Sequence, residues 1–140
     1  MDQEQRETVL LVDDEPSVVA IVKKMLIREG YTVVSATAAE EAIQIAQAEG
    51  ARIDLLLTDI AMPQLNGREL ADRLKSLRHG LRVLYTSGFM KEALLKYYSI
   101  SIAGIPFLQK PFTEEALARK VREVLDAPVV QAAGSGGEMR

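Results

Sequence analysis

Ile53-Asp54-Leu55-Leu56-Leu57-Thr58-Asp59-Ile60-Ala61-Met62-Pro63 is the stretch from which the fold of this chain can be read. An apolar run bounded by charge on one side and by Pro63 on the other reads as a strand buried on both faces of a sheet. Asp59 stands where that strand gives out. In an open α/β sheet the carboxyl ends of the strands are where ligands and chemistry sit, so Asp59 is placed where an acidic side chain can meet solvent, metal and substrate.

Upstream, Thr8-Val9-Leu10-Leu11-Val12 predicts a strand (β1) that delivers Asp13-Asp14-Glu15-Pro16 to its carboxyl end. Pro16 suits a first helical turn. Val18, Val22, Met25 and Leu26 then repeat at helical spacing (α1) until Gly30 stops the run. Tyr31 to Ser35 predicts β2, and Thr37-Ala38-Ala39-Glu40 has the form of a capping box. The helix it opens (α2) has Ala42, Ile43 and Ala46 as its inner face and Gly50 as its stop. Downstream of the opening strand (β3), Asn66-Gly67-Arg68-Glu69 offers a second N-cap, and Leu70, Leu74 and Leu77 form the inner stripe of α3, which ends at Gly80. Arg82 to Thr86 predicts β4, Lys91 to Tyr98 a weakly patterned α4, and Ile105 to Leu108 β5. Thr113 caps a last helix, α5, with Leu117, Val121, Val124 and Leu125 inward. Five strand-helix units of similar size predict a doubly wound α/β fold with a parallel sheet. A polar lead of residues 1–7, one domain over 8–126 and a disordered Ala/Gly/Ser-rich tail over 127–140 complete the expected layout.

Composition narrows the function. With 140 residues, 48% of them hydrophobic, the chain has enough apolar mass for one core. The absence of cysteine removes disulfides, thiolate catalysis and thiolate metal sites. No apolar run reaches the ~18 residues of a membrane span, and the polar, acidic N-terminus does not read as a signal sequence, so cytoplasm is the expected location. A net charge of −3 has the wrong sign for a dedicated nucleic-acid surface.

Collecting the carboxyl ends of the strands brings together Asp13, Asp14, Asp59, Thr86 and Lys110. If β1 lies beside β3, the three acids surround the crevice where strand order reverses. Such a cluster calls for a compensating cation or proton, and a hard divalent cation, Mg2+ above all, suits oxygen donors. Each residue alone has a plainer reading: Asp14 as the cap of α1, Asp13 and Asp59 as solvated loop acids, Thr86 as a strand terminus, Lys110 as a surface lysine. His79, at the end of α3, reads as surface decoration favoured by the helix dipole.

Asp13-Asp14, Asp59 with Met62-Pro63 and Asn66-Gly67 behind it, Thr86-Ser87-Gly88, and Lys110-Pro111-Phe112, in this order, resemble the receiver domain of two-component response regulators, in look most like the receivers of hybrid histidine kinases. The resemblance implies a flavodoxin-like (βα)5 fold with strand order 2-1-3-4-5 and phosphorylation by a histidine kinase or phosphotransfer protein. It makes Asp59 the phosphoacceptor and gives Mg2+ to Asp13, Asp14, Asp59 and the backbone carbonyl of Ala61. Thr86 and Ser87 become the phosphate-binding switch and Lys110 the counter-charge, with a cis peptide between Lys110 and Pro111. Phe107 stands where the family often has a switch tyrosine, so any output through that hydroxyl is lost. Ala61 stands where the family varies the lifetime of its acyl phosphate. The output implied is an altered α4-β5-α5 face read by a partner or a second copy, with no direct nucleic-acid or membrane contact. Either a stand-alone receiver or one cut from a longer chain fits.

Two other functions compete. A Mg2+-dependent aspartyl-phosphate phosphatase usually has its nucleophile after the first strand with a second aspartate two positions on, whereas here Glu15 stands two positions beyond Asp13, Asp14 is adjacent instead, and nothing resembles a substrate cap. A phosphate-independent docking scaffold could use the same fold.

Overall fold

A computed structural model describes residues 6–48 and 52–128. Its elements alternate as β1 (Thr8–Val12), α1 (Pro16–Arg28), β2 (Thr32–Ala36), α2 (Ala39–Gln47), β3 (Leu55–Asp59), α3 (Gly67–Leu77), β4 (Arg82–Ser87), α4 (Lys91–Tyr98), β5 (Phe107–Gln109) and α5 (Glu114–Asp126). The five strands are parallel in the order β2-β1-β3-β4-β5. Chain order reverses between β1 and β3, so the crevice beyond their carboxyl ends is the expected ligand position.

Alternation along each strand sorts the core onto two faces. Leu10, Val12, Leu56, Val83 and Tyr85 pack under α2, α3 and α4, where Ala42, Leu70, Leu74 and Leu94 close the layer. Val9, Leu11, Leu55, Leu57 and Leu84 face α1 and α5, meeting Val22, Leu26, Leu117 and Val121. All five residues of β1 and of β3 are buried, as a central strand covered on both faces requires.

Several local expectations shift. The capping box expected at Thr37 is not formed: α2 is capped by Ala38, and the Thr37 N–H donates to Glu41 Oε1 at 3.1 Å from one residue outside the helix. Asp14 does not cap α1, whose cap position is Glu15 without a side-chain bond. Val19, rather than Val18, is the buried residue that leads the inner face of α1, and Val18 and Met25 pack from the margin. Leu77 is 45% exposed, and Ala71 takes the inner position beside Leu74. The expected stop of α2 at Gly50 lies outside the described residues. The box at Asn66 does form: its side chain accepts from the Glu69 N–H at 2.9 Å, and Glu69 accepts the Asn66 N–H at 3.0 Å. Thr113 caps α5 through the Ala116 N–H.

β5 starts at Phe107 rather than Ile105. Tyr85 pairs with Phe107 and donates its N–H to Pro106 O at 3.1 Å. Two residues earlier on the same edge, the Val83 carbonyl would need a donor from position 106. Pro106 has none, and the ladder ends there.

Candidate functional site

Strand alternation also positions the chemistry. Asp13 continues the row Val9-Leu11, Asp59 the row Leu55-Leu57, Thr86 follows Leu84, and Lys110 follows Leu108, all on the face toward α1 and α5. One period of two thus carries four side chains past the end of the core and onto one patch.

Carboxylate oxygens of Asp13, Asp14 and Asp59 lie within 4.8 Å of one another. Asp13 and Asp59 are buried at 2% and 6% exposure, and Asp14 is exposed. Asp13 Oδ1 accepts the Glu15 N–H at 3.0 Å, which fixes the β1-α1 turn, while its Oδ2 accepts from Lys110 Nζ at 3.0 Å. Lys110 Nζ also stands 3.8 Å from Asp59 Oδ2. It therefore bridges two acids and leaves the third facing solvent. Lys110 and Pro111 are joined by a cis peptide, and the Lys110 N–H donates to Ser87 O at 2.8 Å.

The electrostatics follow from that packing. Burial pushes the Asp59 carboxyl up to about 6; Lys110 and the Ile60 N–H pull it down, while Asp13 and Asp14 push it further up. Burial opposes the charge on Lys110, but its hydrogen bond to Asp13 and the negative charge of Asp59 outweigh that cost, and its ammonium is held above the ordinary lysine range. One ammonium does not balance three carboxylates. Their oxygens form a hard donor set open to solvent, and this fits a hard divalent cation. Ala61 lines the same cleft, about 610 Å3, together with Asp14, Asp59, Lys110 and a rim of Val18, Ile21, Phe89 and Phe112.

Thr86 lies directly across from Asp59 in the β3-β4 register, 5% exposed, and its carbonyl accepts the Ile60 N–H at 2.9 Å. Ser87 is fully buried, and its hydroxyl accepts the Phe89 N–H at 2.9 Å, closing the β4-α4 turn. Phe107 is half-buried on the opposite face, toward α4. His79 is exposed and remote from the acids.

Sequence reading missed a close approach at Gly67. Its N–H donates to Ile60 O at 2.8 Å, and a Cβ built there would lie 2.4 Å from Asp59 O and 2.9 Å from Ile60 Cα. The start of α3 is thus seated on the backbone that carries Asp59. The Asn-Gly pair at the helix start was the available clue, but it reads equally well as capping alone.

The family model of the response regulator receiver domain matches residues 9–122. The chain belongs to that family. Among curated proteins, it is 33% identical over 119 residues to the sensor kinase CckA of Brucella abortus (strain 2308), covering 85% of this chain and 12% of that one. It is 28% identical over 127 residues to the alkaline phosphatase synthesis transcriptional regulatory protein PhoP of Bacillus subtilis (strain 168), covering 91% and 52%. The chain therefore spans about half or less of the length of these relatives. Among solved structures, the receiver domain of the hybrid histidine kinase CckA matches with TM-score 0.70 and 31% identity over 85% of this chain and 99% of that one. A response regulator receiver protein from Sinorhizobium medicae WSM419 matches with TM-score 0.74 and 28% identity over 89% and 98%. This receiver has the flavodoxin-like fold and strand order expected of the family. None of its described helices is long and apolar enough to cross a membrane.

Proposed function

We propose that this receiver takes a phosphoryl group onto Asp59 from a phosphohistidine of a histidine kinase or phosphotransfer protein, and that the change is read at its α4-β5-α5 face. The observation that carries this reading is the convergence of Asp13, Asp14, Asp59 and Lys110 on one patch. An Asp59 carboxylate oxygen attacks phosphorus as the donor's N–P bond breaks, and the electron pair stays with the imidazole. Asp13, Asp14, Asp59 and the Ala61 carbonyl would hold Mg2+, which when bound neutralises charge on the phosphoryl oxygens. Lys110 supplies the remaining counter-charge. The Thr86 hydroxyl bonds a phosphoryl oxygen and draws the β4-α4 turn inward, a reading supported by the register of Thr86 across from Asp59, while Ser87 holds that turn together through Phe89.

The readout is a shift of population at a face that already presents exposed Met90, Leu95, Tyr97 and Tyr98. These side chains suit a partner protein or a second copy, not nucleic acid. Phe107 keeps the aromatic packing at this face without a hydroxyl, and Ala61 provides no side-chain polar group to orient an attacking water. The protein acts in the cytoplasm as a signalling receiver, and its own turnover is limited to gain and loss of phosphate at Asp59.

Incubation with a small acyl-phosphate donor and Mg2+ should add one phosphoryl group by intact-mass spectrometry, and Asp59→Asn should add none. A wild-type protein that stays unmodified while a control receiver is phosphorylated would overturn this reading and leave a phosphate-independent scaffold.

A further inference from the structure

Gly67 seats the start of α3 on the strand that carries Asp59, through its N–H to Ile60 O at 2.8 Å. The next residue, Arg68, is half-buried and reaches two other elements. Its guanidinium carbon lies 5.7 Å from the centre of the Tyr85 ring, and its Nη1 donates to the Ser101 carbonyl. Tyr85 is 3% exposed and precedes Thr86 in β4, whereas Ser101 belongs to the connection between α4 and β5, residues 99–106. One side chain thus joins α3, β4 and that connection. A guanidinium suits both contacts at once, since its flat face can lie over an aromatic ring while its N–H groups point outward to a carbonyl. The connection turns through positive φ at Ser99 (56°) and Gly104 (78°). Its other anchors are the buried Ile100 and Ile102, in the same core layer as Tyr85 and Leu94, and the bonds Ile100 N–H to Leu94 O (3.0 Å) and Tyr85 N–H to Pro106 O (3.1 Å).

We propose that Arg68 is a positioning residue for the switch, holding the α4-β5 connection in the arrangement of the unphosphorylated receiver until Thr86 moves. This rests on phosphorylation of Asp59 and deepens that reading. Thr86 and Tyr85 are consecutive, so displacement of the β4 end toward a phosphoryl group carries the Tyr85 ring with it. Because α3 stays seated on Ile60 O, the guanidinium then loses one of its two partners, and residues 99–106 are released. A contact present in one of two arrangements favours that one, and removing it moves population to the other.

The test compares wild type with Arg68→Met, Arg68→Lys and Lys75→Met, the last removing an exposed charge from the same helix. Arg68→Met is expected to take a phosphoryl group from a small acyl-phosphate donor with Mg2+ roughly three- to tenfold faster than wild type, the range for loss of one hydrogen bond. Before phosphorylation, its amide signals for residues 99–106 are expected part-way along the line joining the wild-type signals without and with phosphate. Arg68→Lys, which keeps the charge but not the planar fork, should fall between Arg68→Met and wild type, and Lys75→Met should match wild type. A wild type that takes no phosphoryl group overturns the inference together with the function on which it rests. A wild type that does, with Arg68→Met equal to it in rate and in resting spectrum, overturns the role of Arg68 alone. So does an Arg68→Met whose signals leave that line and whose rate is unchanged while its urea midpoint falls, since Arg68 would then contribute packing only. Should circular dichroism show Arg68→Met unfolded, Arg68→Lys decides by the same rate and spectrum.

Discussion

Gly67→Ala tests how closely α3 must approach the phosphoacceptor strand. The added Cβ would sit 2.4 Å from Asp59 O, 2.9 Å from Ile60 Cα and 3.2 Å from Asp59 C, all of them backbone atoms that no side-chain rotation can move aside. Restoring ordinary contact at Asp59 O requires a displacement of about 1 Å, since van der Waals separation begins near 3.4 Å. A shift of that size takes the Gly67 N–H out of reach of Ile60 O, from which it now stands 2.8 Å. Overpacking of this kind costs roughly 1–3 kcal/mol and the lost hydrogen bond about 1. The helix preference of alanine over glycine returns at most about 1. The net expectation is a destabilisation of about 1–3 kcal/mol, read as a lower urea midpoint with unchanged slope. Gly88→Ala is the matched control, because nothing lies within 4 Å of where its Cβ would stand. Should the two variants unfold within about 0.5 kcal/mol of each other, the close seating of α3 on Asp59 would be refuted.

Two further predictions concern titration. Burial raises the Asp59 carboxyl from 3.8 to about 6, so in the absence of divalent cation its ionised form opposes folding: the favourable contribution is complete below 3.8 and is lost as pH rises through about 6. Asp59→Asn should therefore be the more stable protein at pH 8 without Mg2+, by about 2–3 kcal/mol, with the gap closing below pH 4 and Mg2+ stabilising only the wild type; equal urea midpoints at pH 8 would contradict this. Tyr85 is buried, which pushes its phenol up to about 12 against the opposing pull of Arg68, whose guanidinium lies 5.7 Å from the ring centroid. Its contribution to stability is complete below pH 10 and lost as pH rises through about 12, so a late phenolate absorbance step should accompany alkaline unfolding and be missing from Tyr85→Phe.

Legibility in the sequence divided along physical lines. Buried central strands announce themselves by unbroken apolar runs, so Thr8–Val12 and Leu55–Asp59 were readable, and with them the positions of Asp13 and Asp59. The Asn66 cap was readable because its partner Glu69 lies at fixed spacing. Thr37 misled because the same spacing occurred one residue outside the helix, where the acid three positions beyond the true cap is Glu41. Leu77 misled because, although it continues the spacing of Leu70 and Leu74, it is the last residue of α3 and stays exposed. The β5 boundary required a register, since only pairing with β4 shows which carbonyl Pro106 fails to serve. The approach of Gly67 to Asp59 is a contact between backbones, and side-chain patterns carry no trace of it.

Placing Asp13, Asp59, Thr86 and Lys110 on one face by strand alternation has a consequence for how this chain can vary. Deleting a single residue inside β3 or β4 would rotate everything beyond it to the other side of the sheet, exchanging Asp59 for Ile60 or Thr86 for Ser87 at the crevice. Point substitution in these strands is graded, whereas insertion and deletion there act as an on-off event. Length changes that preserve the patch belong in the α4-β5 connection, residues 99–106, which joins the elements without setting their phase.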